Sequence, residues 1–524
     1  MAAGTASRFA PLSYEKPKGL LKVKGEILIE RQIRQLQEAG ISDIVIVVGY
    51  MAEKFMYLSN KLGVKIVINE DYNRYNNTSS IIRVIEELGD TYICSSDNYF
   101  PKNVFIGNPE NNSYYSALYS EEETGEYCLT TDSLDNIIDV KVGGHNSWYM
   151  VGHVFFNKEF SKKFREIMKK EYDRGETRLG YWEDVYARYI NELPPMKIHR
   201  YHPHEIEEFD SLEELRQFDE EYINNTGCLI FRNICNVLEC KEEDICEIII
   251  LKNGMTNSSF AFTCNKDGKK YVYRHPGTGT EEFISRDSEY FSMQVAKKLQ
   301  LDRTFVYMHP TEGWKISYFV ENARILDYHN EKDLVQAMNI LSNLHKANVQ
   351  SQFPYRLWDQ ATDFLHKIQG LHKDDTSDFY KLHDKIESLY KYAQNDKWPE
   401  CLNHCDALAA NFLIGEDGNM TLIDWEYSGQ GDTAQDIGSF IACSDLSYDE
   451  AFSAITMYLG HEPTNKELRH YLAYTAIASY CWYLWAIYQE ANAVDTGNFL
   501  KLWYDYSYFY YNKAIALYEI QLDN

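Results

Sequence analysis

Residues 403–436 read NHCDALAANFLIGEDGNMTLIDWEYSGQGDTAQD, and this stretch predicts the fold of the C-terminal half. His404, Asp406 and Asn411 form an H-x-D-x-x-x-x-N loop, and Asp424 follows after a short hairpin. This spacing is typical of loops that catalyse phosphoryl transfer. Such a reaction needs one residue that positions a hydroxyl and others that hold magnesium against the phosphates. Asp406 is the candidate for the first role, and Asn411 and Asp424 are candidates for the second.

The composition restricts the class of protein and its partners. The chain has 524 residues, which favours two to four domains, and an apolar content of 44%, which is enough for buried cores. A formal net charge of −27 argues against nucleic acid or an anionic membrane surface as a partner. We see no signal peptide and no long apolar run, and the eleven cysteines lack paired C-x-x-C spacing. We therefore expect a soluble cytoplasmic protein that does not insert into a membrane.

The N-terminal residues carry a second motif, MAAGTASRFAPLSYEKPKGLLKV. Its loop combines small residues with one cation: Gly4, Thr5, Ser7 and Arg8. A glycine loop lets backbone N–H groups approach phosphate, and Lys18 can neutralise the phosphate charge. Helical and extended patterns then alternate with short links, which predicts a doubly wound, mostly parallel α/β sheet. Asp97 follows a predicted strand, at the carboxyl edge where ligands bind in such sheets.

Motifs in both halves resemble known families. Residues 1–222 resemble sugar-phosphate-type nucleotidyltransferases, in particular bacterial CTP:phosphocholine cytidylyltransferases, through AAGTASRF, EKPKGL, YNNTSS, SSDNYF and YWEDVY. Residues 227–524 resemble choline kinases through NGMTNSSF, YRHPGTGTEEFISRDSE, HCD and IDWEYSGQGDTAQDIG. This resemblance implies an α/β nucleotidyltransferase domain, followed by a protein-kinase-like α+β domain with a small lobe at 227–323 and a large lobe at 324–524. It also implies two consecutive reactions, phosphorylation of choline by ATP and Mg²⁺-dependent cytidylyl transfer from CTP to phosphocholine.

For the first domain, the resemblance implies a role for each motif residue. The loop from Gly4 to Arg8 would wrap the CTP phosphates, and Arg8 and Lys18 would act as the catalytic cations when pyrophosphate leaves. Asp97 would bind magnesium. Glu183 is the candidate for the second magnesium ligand, and the neighbouring Asp184 is the alternative.

For the kinase small lobe, the resemblance implies a set of contacts with ATP. Asn257 and Ser258 belong to the loop that would cover the phosphates. Arg274 would contact phosphate and pair with Glu289, which lies in a predicted helix. Glu321 belongs to the segment that would border adenine.

Aromatic residues are the candidates for binding the trimethylammonium group, because a quaternary ammonium has no N–H to donate and interacts well with ring faces. In the first domain these candidates are Tyr127, Tyr181 and Trp182. In the kinase half they are Tyr448, Trp482, Trp485 and Tyr506, of which the W-x-x-W pair resembles the choline-pocket helix of choline kinases.

Several alternatives stay open. The alcohol could be ethanolamine, another amino alcohol or a sugar, and the kinase half could be a non-catalytic scaffold. Nucleotidyltransferases of this type begin with an apolar strand just before A-A-G, whereas Met1 stands here at the position of its last residue. We expect an upstream start rather than a missing strand, because loss of a central strand would expose the hydrogen-bonding groups of its neighbours. The sequence does not indicate an oligomeric state.

Overall fold

The computed structural model describes residues 1–106, 112–251, 257–277, 284–369, 377–492 and 496–520. The chain forms two compact units, Met1–Ile250 with Cys264–Lys266 and Leu251–Thr263 with Asp267–Asn524. Contacts thus divide the chain near residue 250, and the domain limits 1–222 and 227–524 stay a prediction.

The first unit contains both helices and strands. Its α-helices are α1 (Leu12–Glu15), α2 (Leu28–Glu38), α3 (Tyr57–Leu62), α4 (Thr78–Arg83), α5 (Lys158–Glu171), α6 (Gly175–Leu179), α7 (Trp182–Tyr189), α8 (Leu212–Phe218), α9 (Glu221–Asn224) and α10 (Leu229–Leu238). Its strands are β1 (Lys22–Val23), β2 (Glu26–Ile27), β3 (Val45–Val48), β4 (Lys65–Ile68), β5 (Thr91–Cys94), β6 (Asn98–Tyr99), β7 (Ser113–Ser120), β8 (Thr124–Thr131), β9 (Ile137–Gly144), β10 (Ser147–Phe156), β11 (Met196–Arg200), β12 (Glu207–Glu208) and β13 (Ile245–Ile250).

The predicted α/β class is confirmed, with a mixed rather than mostly parallel sheet. β3 and β4 pair in parallel, as do β7 and β11. The largest sheet has the order β11-β7-β10-β8-β9, and β10 also pairs antiparallel with β5. The links between β7, β8, β9 and β10 are too short for a parallel crossover, so these strands run antiparallel.

The first three residues connect β3 with β5. The Ala2 amide donates to the Val47 carbonyl at 2.8 Å, and Ala2 forms a parallel bridge with Val48. On the other side, the Ser96 amide donates to the Met1 carbonyl at 3.0 Å. This extended segment delivers the following glycine loop to the carboxyl ends of the strands. A cavity of about 480 Å³, lined by β3, β5 and Met1, extends along the two strands.

The second unit combines a strand-rich part with a mainly helical part. Its strands are β14 (Asn257–Cys264), β15 (Lys269–Pro276), β16 (Phe305–Met308), β17 (Lys315–Tyr318), β18 (Arg324–Ile325), β19 (Glu400–Asn403), β20 (Phe412–Ile414), β21 (Met420–Leu422) and β22 (Gly429–Asp432). Its α-helices are α11 (Arg286–Lys298), α12 (Glu331–Lys346), α13 (Leu357–Gln369), α14 (Ser377–Asn395), α15 (Ala434–Ala442), α16 (Tyr448–Leu459), α17 (Asn465–Ala491) and α18 (Phe499–Glu519).

These elements have the arrangement expected for a two-lobed kinase-like domain. β14, β15, β17 and β16 are neighbours in that order, with α11 beside them. The hairpin of β20 and β21 carries the turn predicted from its Asp-Gly sequence. The helix α17 is apolar around most of its circumference, and it is the centre of the helical core because α13, α14, α15 and α18 all pack against it. None of the helices in the described residues is both long and apolar enough to span a bilayer.

Candidate active sites

The first candidate site is a cavity of about 420 Å³ at the carboxyl ends of β4 and β5. The predicted loop residues Gly4 to Arg8 line it, together with Lys18 and Asp97. Within the loop, Ala6 adopts the left-handed conformation with φ 47°, and a short 3₁₀ turn, Ser7–Phe9, follows. The structure therefore brings the predicted nucleotide loop, the predicted cations and one predicted magnesium ligand to the same cavity.

Lys18 and Asp97 form an ion pair in this cavity. The Lys18 ammonium is 2.8 Å from Oδ2 of Asp97, and the lysine side chain is only 10% exposed. Gly19 permits the close approach, because a Cβ at this position would lie 2.8 Å from Oγ of Ser96. The ammonium also lies over the Phe9 ring, 5.1 Å from its centroid. A shielded lysine that is paired with a carboxylate can exchange that partner for a phosphate oxygen.

Two further carboxylates line the cavity, and the sequence did not indicate either. Glu208 in β12 pairs with Asn98 in β6, which places it next to Asp97. Glu208 is an exposed residue, but neighbouring groups partly desolvate its carboxyl, and this desolvation together with the charge of Asp97 raises its pKa to about 7. Asp210 forms an ion pair with the Arg8 guanidinium at 3.1 Å. No sequence motif marks a two-residue strand that lies so far from Asp97 in the chain. Only the folded structure therefore shows that these two acids lie beside Asp97.

Glu183 lies in a different environment from the one predicted. Its carboxylate accepts hydrogen bonds from Nδ2 of Asn77 at 3.0 Å and from the Tyr115 hydroxyl at 3.2 Å. Burial, with a smaller contribution from Asp184, raises the pKa of Glu183 to about 7. It does not line the cavity that contains Asp97. The prediction of Glu183 as the second magnesium ligand is corrected, because α7 directs this side chain into hydrogen bonds inside the unit.

The predicted aromatic wall is present only in part. Tyr181 lines the cavity and is 47% exposed, and the Tyr127 ring centroid lies 6.2 Å from it. Asp184 orients both tyrosines, since its carboxylate accepts from the Tyr127 hydroxyl and from the Tyr181 amide, each at 2.8 Å. Trp182 is only 1% exposed and stacks on Tyr115 at 5.8 Å. The prediction that Trp182 contacts the ligand is wrong, because this residue belongs to the core under the sheet.

The second candidate site surrounds the loop at 404–411 in the second unit. Asp436 in α15 accepts hydrogen bonds from the backbone amides of His404 at 2.8 Å and Cys405 at 2.6 Å. Cys405 has a left-handed φ of 68°. Nε2 of His404 is 3.0 Å from the Ile423 carbonyl. These contacts fix the loop from both sides, and Asp436 is the anchor that the motif alone did not reveal.

Asp406 faces the two predicted metal ligands. Its Oδ2 accepts a hydrogen bond from Nδ2 of Asn411 at 2.9 Å. Burial in the cleft and the nearby charge of Asp424 raise the pKa of Asp406 to about 8. Asp424 itself has a left-handed φ of 66° directly after β21. The three residues predicted from the loop spacing therefore converge.

An ion cluster lies beside Asp424. Arg274 forms an ion pair with Glu289, and its Nη1 atom is 3.4 Å from Asp424 and 3.5 Å from Glu426. The Lys315 ammonium is 3.8 Å from Oε1 of Glu289 and 3.8 Å from Oδ1 of Asp424. Burial raises the pKa of Asp424, but the charges of Lys315 and Arg274 outweigh it, so the pKa lies below its usual value. The predicted Arg274–Glu289 pair is present, whereas Lys315 and Glu426 were not predicted.

The remaining predicted ATP contacts have different outcomes. Nδ2 of Asn257 donates to Oε2 of Glu426 at 2.7 Å, so the start of β14 lies against the ion cluster. Ser258 is half-buried in the same strand. Residues 254–256, which would cover the phosphates, lie outside the described residues.

The predicted adenine-bordering segment follows β17. The Phe319 amide donates to the Lys270 carbonyl at 3.0 Å. Glu321 is exposed, and its carboxylate pairs with the Lys270 ammonium at 3.1 Å. The Glu321 side chain is thus at the surface, and its contact with nucleotide stays a prediction.

An aromatic cluster forms around the W-x-x-W pair on α17. The ring centroids of Trp482 and Trp485 are 6.2 Å apart. The Trp503 centroid lies 6.4 Å from that of Trp482 and 6.1 Å from that of Trp485. Tyr427, three residues after Asp424, lies 6.4 Å from Trp482 at a steep interplanar angle of 76°. The two tryptophans are therefore grouped as predicted, with Trp503 and Tyr427 as additional members.

Tyr448 and Tyr506 do not join this cluster through ring contacts. The Tyr448 ring contacts Phe509, and the Lys513 ammonium lies 4.7 Å from its centroid. Tyr506 packs against Tyr510 instead. In this structure α18 presents Trp503 to the tryptophan pair and a lysine lies over the Tyr448 ring, so the contact of Tyr448 and Tyr506 with choline stays a prediction.

Mg²⁺ prefers oxygen ligands and is usually held by one or two carboxylates together with substrate phosphates. The donor sets at both sites fit this ion, since both offer oxygen ligands, and in the first site a cation would also relieve repulsion between carboxylates. In the first site these ligands are Asp97, Glu208 and Asp210, and in the second Asp424 with the amide of Asn411. Among the described residues, no three His, Cys, Asp or Glu side chains form a preformed cage.

Comparisons with known proteins match two different families to two parts of the chain. Residues 1–101 match the model of the MobA-like NTP transferase domain, and residues 248–477 match the choline/ethanolamine kinase model. The choline-phosphate cytidylyltransferase of Streptococcus pneumoniae is 34% identical over 220 residues, which are 42% of this chain and 95% of that protein. A 2-aminoethylphosphonate cytidylyltransferase of Lancefieldella rimae is 35% identical over 227 residues, 43% of this chain and 92% of that protein.

Solved structures also align with part of the chain. The choline kinase LicA of Streptococcus pneumoniae aligns with 21% identity and a TM-score of 0.44, covering 55% of this chain and 97% of that one. The chain thus belongs to the cytidylyltransferases of the MobA-like NTP transferase type, and it carries a choline/ethanolamine kinase domain in the same polypeptide.

Proposed function

We propose that this transferase makes CDP-choline from choline in two consecutive steps. The kinase unit transfers the γ-phosphoryl group of ATP to the choline hydroxyl, which releases ADP and a proton. The first unit then transfers the cytidylyl group of CTP to phosphocholine and releases pyrophosphate. One observation carries the proposal: the two domains belong to families whose reactions share phosphocholine, as the product of one and the substrate of the other.

In the kinase unit, Asp406 accepts the proton from the choline hydroxyl as its oxygen attacks the γ-phosphorus. The hydrogen bond from Asn411 holds the Asp406 carboxylate in place, and the Asp436 anchor fixes the loop. Arg274 contacts the phosphates and is held in position by Glu289. Magnesium bound at Asn411 and Asp424 would neutralise charge on the phosphates.

In the first unit, the phosphocholine phosphate is itself the nucleophile, so no protein nucleophile is needed. The loop of Gly4, Thr5, Ser7 and Arg8 binds the CTP phosphates. Lys18 leaves Asp97 and stabilises the charge on the departing pyrophosphate. Asp97, Glu208 and Asp210 would hold magnesium, which would neutralise charge on the CTP phosphates. Tyr181 and Tyr127, oriented by Asp184, border the trimethylammonium group.

The Lancefieldella relative raises a second candidate substrate for the first unit, 2-aminoethylphosphonate. Such a compound has a C–P bond, whereas a kinase attaches phosphorus to oxygen. The kinase domain of this chain therefore cannot supply a phosphonate to the first unit. Its presence in the same polypeptide favours a phosphate ester.

The aromatic cluster on α17 favours choline over ethanolamine in the kinase step. A quaternary ammonium interacts with ring faces without losing hydrogen bonds, at about 0.5–2 kcal/mol for each ring. The ammonium of ethanolamine keeps its N–H groups and loses more hydration among four aromatic rings. We place the reactions in the cytoplasm, which agrees with eleven cysteines that lack the paired C-x-x-C spacing of a disulfide framework.

The test supplies the full-length protein with choline, ATP, CTP and magnesium, and measures ADP, pyrophosphate and CDP-choline. We expect CDP-choline only when both nucleotides are present, and phosphocholine when CTP is omitted. Parallel reactions contain ethanolamine, or 2-aminoethylphosphonate with CTP alone. Faster turnover of either compound than of choline or phosphocholine would contradict the substrate assignment.

A further inference from the structure

We propose that Lys315 is a second phosphate-binding cation of the kinase site and contacts the ATP phosphates together with Arg274. This inference rests on the proposed kinase function and adds a residue that the sequence motifs do not contain.

Lys315 and Arg274 are direct cross-strand partners in the antiparallel pair of β15 and β17. Both are buried, with exposed fractions of 9% for Lys315 and 5% for Arg274. Like charges directly opposite one another in a sheet destabilise it. Two buried cations in this register therefore need compensating negative charge, which Glu289 and Asp424 supply in this structure and which phosphate oxygens can also supply.

The side chains of Arg274 and Lys315 differ in how many of their N–H donors are bonded to protein acceptors. Arg274 is held by its ion pair with Glu289, and its Nη2 atom also donates to the Gly313 carbonyl at 3.1 Å. The two carboxylates nearest to the Lys315 ammonium, those of Glu289 and Asp424, are both 3.8 Å away, beyond hydrogen-bond distance. Across the part of the chain that the structure describes, the ammonium has no closer partner. Lys315 thus keeps its N–H donors available beside the residue proposed to bind magnesium.

A change of partner follows from this geometry. If Asp424 holds the cation that accompanies ATP, Lys315 would lose one of the two carboxylates nearest to its ammonium. Phosphate oxygens then lie beside Asp424, within reach of the ammonium. A charge-assisted hydrogen bond from Lys315 to phosphate replaces the lost ion pair.

A structural alternative is that Lys315 only balances the buried acids Glu289, Asp424 and Glu426. The two roles differ in one measurable respect. A phosphate-binding residue affects ATP but not adenosine, which occupies the same base site without phosphates. A residue that only balances charge in the fold affects both ligands alike, or lowers thermal stability without affecting either.

The experiment compares Lys315→Met, Lys315→Arg and the exposed control Lys298→Met in the full-length protein. Binding of ATP with magnesium, and separately of adenosine, is measured by titration calorimetry. We expect Lys315→Met to raise the Kd for ATP by about 10- to 100-fold, the range of one charge-assisted hydrogen bond, and to leave the Kd for adenosine unchanged. In kinetics, the KM for ATP should rise more than the KM for choline. Lys315→Arg, which keeps the charge and the fold, should retain most of the ATP affinity, and Lys298→Met all of it.

Equal weakening of ATP and adenosine, or no change in either, would overturn the role of Lys315. In both cases wild-type protein that phosphorylates choline leaves the kinase assignment intact. If the wild-type protein itself does not bind ATP, the proposed kinase function fails instead.

Discussion

Glu208 and Asn98 are direct partners in the antiparallel pair of β12 and β6, and this pairing places Glu208 beside Asp97. Two carboxylates from distant parts of the chain therefore meet in the cavity that also contains the glycine loop and Lys18. The charge of Asp97 contributes to the raised pKa of Glu208. This relationship changes the choice of residues for testing the first site.

The first prediction concerns the second carboxylate of the cytidylyltransferase site. Glu208→Gln should reduce pyrophosphate release from CTP and phosphocholine by about 10²-fold, since it removes one electrostatic contact of the site. Glu183→Gln is the matched control. Its amide can still accept the hydrogen bond from Asn77, so most of the activity should remain. If Glu183→Gln lost more activity than Glu208→Gln, Glu183 would again be the candidate for the second magnesium ligand.

The second prediction is that single substitutions separate the two activities. Asp406→Asn keeps the shape of the side chain but removes the proton acceptor, so choline phosphorylation should fall by about 10²-fold or more. Cytidylyl transfer from supplied phosphocholine should survive. Asp97→Ala should give the reverse pattern. If either variant lost both activities while its circular dichroism spectrum stayed unchanged, the assignment of one site to each unit would be wrong.

The third prediction uses the raised pKa of Asp406 in the nucleotide-free protein. The folded pKa of about 8 lies above the unfolded value of about 4. The contribution of Asp406 to stability is therefore fully present below about pH 4 and is lost as pH rises through 8. Asn at this position cannot ionise. Asp406→Asn should thus stabilise the second unit increasingly between about pH 4 and pH 8, with a Tm gain of about 2–4 °C for each kcal/mol.

Differential scanning calorimetry at pH 5 and pH 8, without nucleotide or magnesium, tests this expectation. Asp417→Asn, in the exposed turn between β20 and β21, is the control for the same chemical change at the surface. A Tm difference between wild type and Asp406→Asn that is the same at both pH values would contradict the raised pKa of Asp406.

The fourth prediction concerns the aromatic cluster. Trp485→Ala should raise the KM for choline much more than the KM for ATP, because the ring contacts Trp482 and Trp503 in the cluster. Tyr448→Ala should have a smaller effect on choline, because the Tyr448 ring packs against Phe509 and Lys513. Initial rates with each substrate varied in turn provide the measurement. A larger effect of Tyr448→Ala would return this residue to the choline site.

The local motifs were sufficient for those parts of the sites that are contiguous or closely spaced in sequence. Asp406, Asn411 and Asp424 converge because one short loop and one hairpin carry all three residues. Lys18 meets Asp97 because a glycine follows the lysine and a β-strand ends just before the acid. Backbone geometry over a few residues determines such contacts, so the spacing of residue types is informative.

The motifs were misleading where the direction of a helical side chain was decisive. Trp182, Glu183 and Asp184 are consecutive, yet only Asp184 contacts the tyrosines of the site. Successive residues on a helix point in directions about 100° apart, and the packing of α7 against the sheet selects which of them faces the core.

The sequence by itself determined the two-enzyme organisation, the α/β and kinase-like classes, and the catalytic loop, because these depend on short motifs and local periodicity. Only the tertiary structure revealed Glu208 and Asp210 beside Asp97, Asp436 under the catalytic loop, and Lys315 opposite Arg274. Each of these relationships depends on strand register or on contacts between residues far apart in the chain. Register and long-range packing result from the whole core at once, and no local pattern of residues encodes them.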